Sequence, residues 1–282
     1  MSWQMLTCIS VFLFSAAMLI QRHLFNQHKC DPHAFVVLSQ TLVGLLALVF
    51  AFIHGFHFPD FSGLWLAALG SVSFHSLGYI AHAKALQTME ASVFSMFYAT
   101  QAIWIMLLGV VLFREHPSAL QFAGVVCIFV GIAFLTLRTG SLQLNSGTLL
   151  GLLTGLLFGI AVTCWVYVGK RADIESWAAL GFLGVAGMAF LIRPHSIAHA
   201  RSFFVWSIAV RMLVVSGLMS AGGVALLLAY AAGDVSAVSP LRQMSIVVTV
   251  LLAMLFLPQE RTYIWHKFAA MALCFLGALL VV

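Results

Sequence analysis

The chain has 282 residues, 63% of them hydrophobic and 7% charged, with a formal net charge of +5. Soluble domains carry about 25% charged residues, so this chain cannot clothe itself in water and its solvent must be lipid. A cleaved leader does not account for the excess, because apolar runs continue from Trp3 to the end. No basic patch interleaved with aromatics gives a reason to expect nucleic acid.

A membrane-crossing helix needs roughly 20 apolar residues, and loops are marked by charge, Pro or clustered polar residues. On that rule the first five helices are expected near 4–21, 32–53, 62–84, 91–113 and 118–137. Five more follow near 147–168, 174–193, 209–231, 235–257 and 264–282. The expected fold is therefore an all-α polytopic membrane protein with ten transmembrane helices, forming a single domain over 1–282. The five cysteines form no CxxC pair and read as small buried hydrophobes.

Polar groups inside the spans are the informative ones, since each is costly in hydrocarbon. In the third helix His75, Tyr79 and His82 align at steps of four and three, with Ser71 one turn earlier. Histidine titrates near neutral pH, so His75 and His82 are the candidates for proton coupling. A metal site is not expected there, because no acidic or thiol ligand shares the stripe. In the fourth helix Phe97, Gln101 and Trp104 share a face, with Tyr98 at its edge. Gln101 both donates and accepts hydrogen bonds, which suits a zwitterion, and the aromatics suit an apolar side chain. Tyr98 and Trp104 read equally well as packing residues.

Gly151, Gly155 and Gly159 in the sixth helix form a doubled GxxxG, and Gly181, Gly184 and Gly187 recur every third residue in the seventh. Such spacing lets helices approach closely. The loop "RPHSIAHARSFFVWS" carries His195 and His199 and reads as a basic interfacial segment. The ninth helix opens with "SPLRQMSIVVTV", in which Ser239, Arg242, Ser245 and Thr249 lie along one face, beside Gln243. Arg242 sits about six residues into its helix, roughly 9 Å deep. A guanidinium there can hold a carboxylate or phosphate through paired hydrogen bonds; the alternative is an arginine that snorkels to the interface. All eight acids fall in loops or at helix ends, whereas a cationic-drug exporter would want a buried carboxylate.

The two halves resemble one another. "LLGVVLFREH" ends the fourth helix as "LLAMLFLPQER" ends the ninth, and "FAGVVCIFVG" (122–131) matches "FAAMALCFLG" (268–277). Repeat one spans about 1–143 and repeat two about 144–282. An odd number of helices per repeat inserts the second from the opposite side, giving two inverted five-helix repeats of the kind that alternate access around a midplane site. The odd-numbered loops and their flanks hold nine Lys and Arg, the even-numbered loops three, which by the positive-inside rule puts both termini outside the cytoplasm.

With an acid closing the fourth helix of each half (Glu115 in "FREH", Glu260 in "PQER"), the chain resembles the EamA-like branch of the drug/metabolite transporter superfamily. The stretch from Gly217 to Arg261 carries most of this likeness. It is similar to a pattern in which a small-residue-rich eighth helix leads to Leu-Arg-Glu-x-Ser, here Leu241, Arg242, Gln243, Met244 and Ser245. Gln243 departs from the acid of that pattern, and the fourth helix lacks the Pro and Arg that some relatives carry. The resemblance implies cytoplasmic termini, opposite to the charge count, and the sequence does not choose between them.

The expected function is a secondary transporter, not an enzyme, that moves a small anionic or zwitterionic metabolite by alternating access. Its expected binding residues are Arg242, Gln243, Ser239, Ser245, Gln101, Tyr98, Trp104, His75 and Tyr79. No cofactor is expected, and the partners are the solute and the lipid bilayer, in a monomer or dimer. A bacterial cytoplasmic membrane is the expected location. The competing readings are an intramembrane enzyme, for which no HExxH or serine–histidine arrangement is present, a channel, or a carrier for cationic or neutral compounds.

Overall fold

The structure is a computed structural model that describes residues 2–27, 30–113, 118–138, 146–233, 235–257 and 262–281. Every regular element among them is helical. In chain order these are α1 (Trp3–Gln27), α2 (Pro32–His54), α3 (Trp65–Thr88), α4 (Ala91–Tyr98), α5 (Gln101–Phe113) and α6 (Ala119–Arg138). Then come α7 (Ser146–Gly169), α8 (Ile174–Ile192), a 3-10 segment (Pro194–Phe204), α9 (Trp206–Ala232), α10 (Val235–Phe256) and α11 (Ile264–Val281).

Six stretches among the described residues are long and apolar enough to cross a bilayer: Trp3–Gln27, Pro32–His54, Ala91–Leu108, Ser146–Gly169, Ile174–Ile192 and Trp206–Ala232. The molecule is turned inside out relative to a soluble domain. Phe12, Val49, Phe52, Leu66, Leu120, Val126 and Leu255 are exposed, while Ser15, Gln21, Gln40, Gln101 and Thr249 are buried. An outer surface of this kind suits lipid. Trp206 and Trp265, 82% and 80% exposed, sit near the starts of α9 and α11, where amphipathic rings mark a bilayer interface.

The boundaries differ from the sequence expectation at four places, each for a local reason. The first helix runs six residues further, to Gln27. Its polar end is satisfied inside the protein: Gln21 bonds to His82 and Met219, and Arg22 donates to the Leu86 carbonyl. The third helix likewise extends to Thr88, where the Met89 amide closes it on the Ala85 carbonyl. The fourth is broken into α4 and α5 at Ala99–Thr100, where the Thr100 amide and hydroxyl both bond to the Phe97 carbonyl, at 3.1 and 2.7 Å. That i→i−3 closure is the tighter 3-10 pattern. The loop before the eighth expected helix is itself a 3-10 segment, and α9 starts at Trp206.

Helix starts are set by ordinary capping. Asp31 accepts from the Ala34 amide at 2.9 Å ahead of Pro32, and Asp173 accepts from the Ser176 amide at 2.9 Å. Asp31→Ala is expected to cost about 1 kcal/mol, the value of a lost cap. Its exposed ion pair with Arg193, at 3.2 Å, adds little. Thermal unfolding in detergent checks this.

Two cores organise the bundle. The larger joins α1, α2, α3, α7, α8 and α9 with the start of α4, and the second joins the rest of α4 with α5, α6, α10 and α11. The most extensive helix pairs are α3 with α7, α6 with α11, α2 with α8, and α1 with α9. Then follow α1 with α10, α5 with α7, α10 with α11, α2 with α9, α3 with α8, and α4 with α10. Close crossings fall at glycines: a Cβ on Gly277 would stand 2.5 Å from the Gly124 carbonyl of α6, and one on Gly44 2.7 Å from Leu183 of α8.

Candidate functional site

A cavity of about 130 Å³ lies where α1, α3, α4, α7, α8, α9 and α10 converge. Its polar wall is built from short stripes on separate helices. On α10, Arg242, Ser245 and Thr249 face it, one turn apart as the helical period requires. The α3 stripe contributes His75, Tyr79 and His82. Tyr98, the last residue of α4 before the break, and Tyr230 of α9 complete that wall.

Arg242 is held by hydroxyls. Its Nη2 donates to the Tyr98 oxygen at 3.4 Å, and the Tyr230 hydroxyl is also within hydrogen-bonding reach. Tyr79 and His75 lie close enough to feel its charge. Arg242 keeps part of its surface accessible although it lies within the bundle, because that surface faces the cavity. None of the described acids acts on it, and no Asp, Glu or Lys is among the described lining residues. A buried cation with no counter-charge among the described residues is costly.

The opposite wall is aromatic. Phe158 sits at its centre, edge-on to His75, Tyr79, His82 and Tyr98 at 5.5, 4.9, 6.4 and 5.4 Å between centroids. Trp165 lies 5.0 Å from both His75 and Phe182. A glycine makes room for Phe158: a Cβ on Gly78 of α3 would meet its ring at 3.0 Å.

Hydrogen-bond partners fix both histidine tautomers. His75 Nδ1 lies 3.0 Å from the Ser71 carbonyl, which only accepts, so Nδ1 carries the proton. Gln21 Nε2 points at the Met219 sulfur at 3.2 Å, which leaves Gln21 Oε1 to accept from His82 Nε2 at 3.1 Å. In the neutral form each ring then has its other nitrogen free of a proton.

Of the expected site residues, Arg242, Ser245, Tyr98, His75, Tyr79 and His82 meet on this cavity. Gln101, Trp104 and Gln243 do not line it. Gln101 is 2% exposed and Trp104 is half-buried, and both lie against α7, where Gly155 meets the Gln101 backbone and Gly159 the Trp104 Cβ. The face Phe97–Gln101–Trp104 is thus a packing face matched to the doubled GxxxG of α7, and only its edge residue Tyr98 reaches the cavity. Gln243, 4% exposed, is turned away because one helical residue rotates the side chain by about 100°. The side chain of Ser239 and the landmarks Glu115 and Glu260 lie outside the described residues.

Sequence reading missed Tyr230, Gln21 and Ser15. Gln21 stood at the presumed end of the first helix, where a polar residue is unremarked. Ser15 accepts from Thr249 at 3.0 Å and donates toward the Ser245 carbonyl at 3.4 Å; nothing distinguishes it from the other serines of α1 without its neighbours. Tyr230 carried a signal, a phenol in an apolar run near a helix end.

Residues 1–137 match the EamA-like transporter family. A search of curated proteins found no match. Among solved structures 27 chains match. One, described only as "Crystal structure of protein", is 14% identical, covers 99% of this chain and 95% of its own, and superposes with a TM-score of 0.60. At that identity the likeness speaks to the fold alone.

Proposed function

Because residues 1–137 belong to the EamA-like transporter family, in the drug/metabolite transporter superfamily, we propose that this multi-pass membrane transporter moves a small carboxylate-bearing solute with an apolar body. The observation that carries the reading is Arg242, the one formally charged residue among those described on the cavity. Its guanidinium would hold the carboxylate through paired hydrogen bonds, with Tyr98 and Tyr230 orienting it. Phe158, Trp165 and Phe182 would cover the apolar part. About 130 Å³ is well below the ~300 Å³ at which drug-sized pockets begin, which favours an amino-acid-like or similarly small anion. A carrier of organic cations is disfavoured, because a lone arginine repels its cargo. Family members are transporters, and enzyme chemistry has no support in the lining residues.

The packing pattern supports ten spans in two inverted repeats. Take α4 and α5 as one broken span and exchange α1 with α7, α2 with α8, α3 with α9, α4/α5 with α10, and α6 with α11. The α3–α7 contact becomes α9–α1, α1–α10 becomes α7–α4/α5, α2–α9 becomes α8–α3, and α2–α3 becomes α8–α9. All of these pairs occur, while α2–α8, α6–α11 and α4–α10 map onto themselves. Asp31 and Asp173 cap the equivalent helices α2 and α8. Alternating access then consists of the two repeats exchanging conformations around the cavity. Free histidine titrates near neutral pH, and His75 and His82 line the cavity, so a proton-coupled cycle would run through them. A bacterial cytoplasmic membrane fits such a carrier.

Reconstituted vesicles test the reading. Tyr98→Phe removes one neutral hydrogen bond to the guanidinium and is expected to lower flux of the carboxylate solute by about threefold, as an intramembrane hydrogen bond of ~0.6 kcal/mol implies. Unchanged flux would take Tyr98 out of the site.

A further inference from the structure

The repeat symmetry is broken at several helix pairs, α7–α8, α1–α4 and α10–α11 among them, and two further breaks bear on access and fall on the same side. Helices α1 and α3 are in contact, but their counterparts α7 and α9 make no comparable contact among the described residues. Likewise α4 touches α11, while α6 and α10, the exchanged pair, make no comparable contact among the described residues. The contacts that do form are tied by polar side chains at one end of the bundle. Gln21 and His82 bond across α1 and α3, Arg22 donates to the Leu86 carbonyl, and Lys267 of α11 is ion-paired to Glu90 at the start of α4. Lys267 is 1% exposed while Glu90 keeps part of its side chain accessible, so the ion pair is only partly screened by water and salt.

At the other end, the face where Trp3 packs on Gly233, the α7–α9 gap is occupied by open space. A cleft of about 440 Å³ is lined there by Val166, Gly169, Lys170, Asp173, Leu227 and Tyr230, among others. Val166, Leu227 and Tyr230 also line the central cavity. The cleft and the cavity therefore share a wall, and Tyr230, beside Arg242, stands in it.

We propose that the solute reaches Arg242 from the face carrying the N-terminus, through the cleft between α7 and α9 and past Tyr230. The Gln21–His82 hydrogen bond and the Glu90–Lys267 ion pair hold the opposite face shut. This rests on the inverted-repeat transporter reading, since only there are the two faces expected to be alike. The charges of Lys170 and Asp173 at the cleft mouth present one group of each sign, which suits a solute that is a carboxylate or a zwitterion. The latch differs chemically from its counterpart. The α1–α3 contact is made by Gln21 bonded to His82, whereas the α7–α9 cleft mixes Val166 and Leu227 with Lys170, Asp173 and Tyr230.

The test uses the full chain in vesicles, with the five cysteines replaced by alanine and Ser245→Cys placed on the cavity wall. A membrane-impermeant methanethiosulfonate reagent is added to one face at a time, the face being identified by protease cleavage of a terminal tag. Reaction is expected to be at least about tenfold faster from the N-terminal face, as for a conformer whose alternative is populated at 10% or less. Gln21→Leu and, separately, His82→Leu are each expected to raise the rate from the opposite face by about threefold. Glu90→Gln supplies a third variant that leaves the α1–α3 contact untouched and is expected to act in the same direction. Equal rates from both faces, or faster reaction from the opposite face, overturn the proposed access path while leaving the cavity reading intact. No change in any of the three variants overturns the latch. No reaction from either face overturns the solvated cavity itself, and the proposed function with it.

Discussion

Arg242→Ala is expected to reduce flux of the carboxylate solute by at least about a hundredfold. Removing one partner of a desolvated, hydrogen-bonded charge pair costs about 3–5 kcal/mol, and each 1.4 kcal/mol is a factor of ten. The fold should not suffer. The described surroundings of Arg242 are hydroxyls and aromatic rings, with no carboxylate acting on it. Deleting a charge that the bundle desolvates with no counter-ion among the described residues removes a penalty, so the unfolding temperature of Arg242→Ala should equal or exceed that of the parent. This combination of lost flux and undiminished stability separates a binding arginine from a structural one. Arg242→Lys keeps the charge but loses the planar fork. It is expected to fall about tenfold below the parent, the loss of one charge-assisted hydrogen bond at ~1.5 kcal/mol. Vesicle uptake of a labelled carboxylate, with thermal unfolding run in parallel, checks all three statements.

The second large effect is on the fold. Gly155→Val is expected to destabilise the bundle by about 3 kcal/mol or to abolish folded protein, at the upper end of overpacking costs. A Cβ on Gly155 would collide with the Thr100 hydroxyl and stand 3.2 Å from the Gln101 amide nitrogen and 3.3 Å from the Phe97 carbonyl. Those atoms belong to the α4/α5 break: the Thr100 hydroxyl is tied to the Phe97 carbonyl, and the other two are backbone and cannot swing aside. Displacing the break also moves Tyr98, which ends α4 and bonds to Arg242, so any protein that survives should have impaired flux. Gly187 provides the contrast, since nothing lies within 4 Å of where its Cβ would be. Gly187→Ala is expected to be neutral or stabilising by up to about 1 kcal/mol, the helix-propensity gain of alanine. Unfolding temperature and the monodisperse fraction after detergent extraction measure both.

The two glycines show how far a sequence can be read. Both stand in regularly spaced runs in apolar helices, and the spacing marks a close approach without saying what approaches. The same limit explains Gln101 and Trp104. Polar and aromatic residues on one helix face suggest a cavity, but here that face lies against the α7 glycines, and their neighbour Tyr98 reaches the cavity. Arg242 was legible because a cation inside an apolar run has few explanations, and its helical stripe with Ser245 and Thr249 follows from spacing alone. Gln21 was not. Its polarity matched the expected end of the first helix, and only the tertiary contacts with His82 and Met219 bring it inside. Tyr230 falls between these cases, since its phenol was visible in the eighth helix but its direction was not. The all-helical, multi-pass character was accessible because hydrocarbon thickness dictates span length. The break at Ala99–Thr100 was hidden, because no Pro or Gly marks it and the Thr100 hydroxyl closes it locally.

Ligand-dependent thermal stability tests the central claim most directly. Small carboxylates and their uncharged amides are compared on the purified chain and on Arg242→Ala, using the rise in unfolding temperature that a ligand selective for the folded state produces. The account predicts that at least one carboxylate stabilises the parent, that its amide does not, and that Arg242→Ala responds to neither. Equal stabilisation of parent and Arg242→Ala by the carboxylate would contradict it.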